Sequence, residues 1–119
     1  MKFLSIYTQD QKSPGSMNGE QMAEMGKLIE ETMKSGLLVL TGGILPISKG
    51  GARVRASGGA ISVDGPFTEA KEIVGGFAIL NAGSRDEAIE MATRFLKIAG
   101  NGECEIHQLE GPGEESVDQ

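Results

Sequence analysis

The residues best equipped for chemistry stand in one short run. Asp64, Glu69, Lys71 and Glu72 place three carboxylates and an ammonium within nine positions. If these groups face a cavity, Asp64 or Glu69 can exchange protons with a bound molecule while Lys71 or an arginine tunes the carboxyl. Upstream, Arg53 and Arg55 alternate onto one face of a strand-like segment. Such a guanidinium pair can hold a carboxylate or phosphate, although a solvated hairpin face is the competing reading. Phe67 either plugs the core or contacts the substrate. Asp64-Gly65-Pro66-Phe67 also reads simply as a turn, in which Asp caps, Gly bends and Pro sets φ.

The remaining polar groups point away from metal and cofactor chemistry. Glu103, Glu105 and His107 share one strand face, but side chains at i,i+2 stand roughly 6.5–7 Å apart, so no metal is expected there. Cys104 lies between two glutamates, which disfavour its thiolate, and reads as core. A single cysteine excludes an internal disulfide and a cysteine-based zinc site. Gly42-Gly43 and Ser48-Lys49-Gly50-Gly51 lack the Gly-Lys-Ser/Thr of a phosphate loop. No cofactor is expected.

The 119 residues suffice for one domain. Aromatic residues are only 4% and Trp is absent, so an aliphatic core with contributions from six Met is expected. A net charge of −6 without a basic run lacks the footprint of a nucleic-acid binder. No apolar stretch approaches the roughly 20 residues of a membrane span, and the first residues turn polar too soon for a signal peptide. A soluble, cytoplasmic protein is expected.

Period and punctuation supply the elements. Residues 2–8 alternate as a strand, with Phe3, Ser5 and Tyr7 on one face. Met22, Met25, Ile29, Thr32 and Met33 recur at helical spacing, and Gly36 provides a left-handed stop. Residues 37–40 read as a strand buried on both faces, broken at Gly42-Gly43-Ile44-Leu45-Pro46. Residues 52–56 and 60–64 form a hairpin around Ser57-Gly58-Gly59. After a strand at 75–82, Ser84 and Glu87 form a capping box. The helix they open pairs Glu90 with Arg94 and ends at Gly100. A last strand over 103–109 follows.

This order, β-α-β, hairpin, β-α-β, predicts an α+β, ferredoxin-like βαββαβ antiparallel sheet with a β-hairpin insert and two helices on one face. Residues 1–110 form the domain and 111–119 a disordered acidic tail. The helix-free face would leave apolar residues in water, so a second copy packing sheet against sheet is expected.

The run from Asp64-Gly65-Pro66-Phe67-Thr68-Glu69-Ala70-Lys71-Glu72 to Gly75-Gly76-Phe77 resembles the signature of the YCII-related family, DGPF subgroup. Met25-Gly26, Ser35-Gly36-Leu37-Leu38, Gly51-Ala52-Arg53-Val54-Arg55 and Ser84-Arg85-Asp86-Glu87-Ala88 extend the resemblance over nearly the whole chain. It implies a dimeric α+β barrel, a bacterial origin and genes neighbouring those of extracytoplasmic-function sigma factors. It also implies a His–Asp pair in a cleft, with the histidine on the first helix. This chain has Met25 there and only His107 elsewhere, so Asp64 alone carries over.

Two functions follow as expectations. In the first, a dimer-associated pocket holds a small anionic organic molecule. Asp64 and Glu69 act as acid and base, and Arg53, Arg55, Phe67 and Lys71 bind the substrate in isomerase- or lyase-like chemistry. In the second, the chain is a non-enzymatic homodimeric accessory or regulatory protein, and Asp64 to Glu72 is a folding motif.

Overall fold

The computed structural model describes residues 1–9, 17–65 and 75–111. The expected turn around Pro14, the site residues Phe67, Glu69 and Lys71, and residues 112–119 of the expected tail lie outside the described residues. Eight elements follow in order. They are β1 (Lys2–Gln9), α1 (Gly19–Ser35), β2 (Leu38–Ile44), β3 (Arg53–Ser57), β4 (Ala60–Asp64), β5 (Gly75–Asn81), α2 (Arg85–Ala99) and β6 (Gly102–Gln108). Strands β2-β5-β1-β6 form an antiparallel sheet, and β3-β4 a separate hairpin. The chain is α+β, with the ferredoxin-like arrangement and a hairpin between β2 and β5.

Register decides which residues meet the helices. Phe3 stands opposite Leu80, Ser5 opposite Ala78 and Ile106, and Tyr7 opposite Gly76 and Cys104. These residues share the helix-covered face because strand side chains alternate. Phe3, Leu38 and Leu80 are buried there against Met25 and Leu28 of α1 and Met91 of α2. The opposite face presents Leu4, Ile6, Phe77 and Ile79, flanked by the Glu103, Glu105 and His107 column of edge strand β6.

Local chemistry sets the helix ends. Asn18 accepts from the backbone N–H of Gln21 at 2.8 Å, and the Gln21 side chain accepts from the Asn18 N–H at 2.9 Å. Gln21 Nε2 also donates to the Ile98 carbonyl at 3.0 Å, joining the start of α1 to the end of α2. Gly36 closes α1 at φ 85°, a left-handed conformation that suits glycine. At α2, Ser84 accepts from the Glu87 N–H as expected, but the Glu87 carboxylate reaches back to the Gly83 N–H at 2.7 Å. Asn18→Ala should lower stability by about 1 kcal/mol, read as a reduced urea midpoint.

Four expectations need correction. Strand β2 continues through Gly42-Gly43 to Ile44, and only Leu38 is buried, with Val39 and Leu40 exposed. It is an edge strand with a register shift between Leu38 and Leu40, so its apolar run does not mark burial on both faces. Met22 and Met33 are exposed, because the covered stripe of α1 centres on Met25, Leu28 and Thr32. Arg94 turns from Glu90 to Glu31 of α1, at 3.3 Å, since the two helices pack side by side. The methionines divide accordingly, with Met25 and Met91 buried in the core.

Candidate functional site

The sequence-derived residues that the structure describes cluster on the hairpin. Gly58 and Gly59, at φ 57° and 82°, supply the two positive φ angles that a tight hairpin turn requires. Pairing of Arg53 with Asp64 and Arg55 with Ser62 puts all four on one face. Val54, Ala56, Ile61 and Val63 occupy the other. Arg55 donates from Nη2 and Nε to the same Asp64 oxygen, Oδ2, at 2.7 and 2.9 Å. The Arg55 side chain is 62% exposed and that of Asp64 35%, so water screens the pair. Arg55→Ala should therefore cost less than about 1 kcal/mol in chemical denaturation.

Every hairpin residue except Asp64 is exposed. Arg53, Arg55 and Asp64 are thus brought together on a hairpin that contributes no residue to the core cluster. On edge strand β6 of the main sheet, His107 Nε2 lies 2.5 Å from Glu105 Oε1. Among the described residues, no group of three His, Cys, Asp or Glu side chains is placed to hold a metal ion.

A second feature escaped the sequence reading. Between the sheet and the helices lies a partly enclosed cavity of about 100 Å³. Leu28, Met25, Met91 and Phe95 approach it from the helices, and Tyr7 and Cys104 from the sheet. Small side chains at Gly76, Ala78 and Ala92 leave the space open. Gly76 has little alternative, because a Cβ there would stand 3.0 Å from the Gly42 carbonyl oxygen. Tyr7 packs edge to face on Phe95 with ring centroids 5.0 Å apart.

The polar atoms of the lining already have protein partners. Thr41 Oγ1 donates to the Phe77 carbonyl at 2.8 Å, and Tyr7 donates to the Asn101 carbonyl at 3.4 Å. The Ser5 hydroxyl hydrogen-bonds the Cys104 sulfur, which favours thiolate, but burial outweighs it and pushes the Cys104 thiol up. Burial, followed by the charge of an ionised Cys104, raises the Tyr7 phenol. The sequence placed Ser5 and Tyr7 together on one face of β1, which the structure turns toward the helices. Their meeting with Cys104 depends on a pairing almost one hundred residues away in sequence.

These shifts have a definite sign. As pH rises through the ordinary thiol and phenol ranges, the unfolded chain loses protons that the folded chain retains, so stability falls. Below those ranges both states are protonated and the two groups contribute no pH dependence. Cys104→Ala should flatten the thiol part of this decline in urea titrations at stepped alkaline pH. Iodoacetamide should also alkylate native Cys104 more slowly than the urea-unfolded chain.

Fold and cavity together define a small α+β protein with a sheltered apolar pocket between one antiparallel sheet and two helices. The chain belongs to the YCII-related domain family, whose model matches residues 1–106. No curated protein matches it. Among the described residues, no helix is long and apolar enough to cross a membrane.

Proposed function

We propose that this protein is a homodimer of the DGPF subgroup that binds a small anionic organic molecule, with the molecule's apolar part in the sheet–helix cavity. The cavity is the observation that carries this reading. An apolar, partly enclosed space with a few polar atoms suits a small organic ligand better than a macromolecule. Arg53, Arg55, Phe67 and Lys71 hold the anionic end. Asp64, with Glu69, exchanges the proton in isomerase- or lyase-like chemistry that needs no organic cofactor. The Arg55–Asp64 pair supports this assignment by showing that a guanidinium can reach the Asp64 carboxylate.

The helix-free face supports the dimer. Leu40 and Ile44 are 51% and 41% exposed beside half-buried Leu4, Ile6, Phe77 and Ile79, and a second copy removes this surface from water. Sedimentation over a range of concentrations tests the association; a persistent monomer removes it.

Thermal-shift titration with small carboxylic acids tests the site. The wild type should be stabilised, whereas Asp64→Asn and the cavity-filling Ala92→Leu should respond less. An undiminished response of Asp64→Asn would remove its charge from the function, and an undiminished response of Ala92→Leu would move the ligand out of the cavity.

The uncovered hairpin face favours a second reading. Val54, Ile61 and Val63 are 64–68% exposed, which suits a non-enzymatic accessory or regulatory homodimer that docks on a protein. The resemblance to chains encoded beside extracytoplasmic-function sigma factors would place that partner in regulation. A ligand response lost in Ala92→Leu favours the pocket; no response to any carboxylic acid favours docking.

A further inference from the structure

Resting on the cavity reading above, we propose that the part of the ligand inside the cavity is an uncharged, branched aliphatic group of about four carbons. The ligand class is then a short branched-chain monocarboxylate, and dicarboxylates and sugar acids are rejected.

Charge and size both lead there. Among the described residues lining the cavity, none carries a charged side chain. The four polar side chains are Ser5, Tyr7, Thr41 and Cys104, and their hydrogen bonds are directed at protein partners. A carboxylate brought among them would lose water without gaining a cation. The lining shows this bias itself, since burial pushes both the Cys104 thiol and the Tyr7 phenol up, against their charged forms.

The volume of about 100 Å³ is some two-thirds of the roughly 150 Å³ apolar cavity that accepts benzene. That leaves room for about four carbon atoms, the size of an isobutyl group. Unbranched, polarizable Met25 and Met91 can adjust around a compact branched shape.

The test is a series of monocarboxylates read by thermal shift and by the methyl resonances of Met25 and Met91. Acetate, propionate, isobutyrate and isovalerate should bind progressively tighter, by about four-fold for each added carbon and roughly 60-fold across the series. Hexanoate should gain nothing over isovalerate. Succinate should bind at least ten-fold more weakly than butyrate, because its second carboxylate must enter the cavity (about the discrimination expected for one desolvated polar group). In Ala92→Leu and the milder Ala78→Val, the dependence on tail size should shrink while circular dichroism stays native.

The outcomes separate this inference from the reading beneath it. Binding that ignores tail size, or succinate matching butyrate, overturns the inference and leaves an anion-binding function intact. Isovaleramide matching isovalerate overturns the monocarboxylate class, and with it the anionic head of the reading beneath, while leaving the aliphatic group in the cavity. Absence of binding by the whole series overturns both.

Discussion

Leu80→Ala should lower the unfolding free energy by about 3 kcal/mol, within the 2–5 kcal/mol range for large-to-small core changes. Leu80 is the most deeply buried large side chain described, at 1% exposure. It sits in central strand β5 opposite Phe3 on one side and Leu38 on the other. Both helices pack over that row, so the chain cannot collapse into the space without moving several elements. For a domain of this size the loss corresponds to a fall in melting temperature of roughly 10–15 °C. Differential scanning calorimetry checks it. A fall below about 3 °C would mean that β5 and the helices close over the space left behind.

Gly75→Ala should be nearly as damaging, by about 2–3 kcal/mol, for a different reason. An added Cβ would lie 2.0 Å from the Tyr7 carbonyl oxygen and 3.2 Å from its carbon. No rotamer relieves a clash between two backbones. The β1–β5 pairing must shift at the end that carries Tyr7, so the cavity should be disturbed as well. Gly43→Ala is the matched control, since its Cβ would meet the Gly75 carbonyl oxygen only at 3.9 Å. Urea unfolding of the two variants should differ by at least about 1.5 kcal/mol. Equal midpoints and slopes would show that β5 yields locally and that close packing does not require glycine there.

Both substitutions act on contacts that local sequence describes unevenly. The alternation in residues 2–8 divided β1 into two faces, but which of them the helices cover was decided by packing. The paired glycines at 58 and 59 marked the hairpin turn, and Gly36 marked the end of α1. These signals were legible because backbone conformation at each position depends on the residue itself and its near neighbours. The apolar run at 37–40 misled because a buried strand and an exposed edge strand look alike until their neighbours are known. Glu90 and Arg94 had the right spacing for a pair, yet the neighbouring helix offered Arg94 another partner in Glu31. Spacing along one helix carries no information about the helix beside it.

The candidate site divides in the same way. Arg53, Arg55 and Asp64 could be placed on one face from hairpin register alone, since two strands and a two-residue turn determine it. The exposure of the hairpin could not be read, because its own residues do not state what covers them. The cavity was still less accessible, being a shortfall of volume rather than the property of any residue. It exists because Gly76, Ala78 and Ala92 converge from one strand and one helix beneath Met25, Met91 and Phe95. Short-range preferences determined the helices, turns and strand faces from the chain alone. Long-range packing of side-chain volumes decided the strand neighbours, the Ser5–Tyr7–Cys104 grouping and the empty space they border.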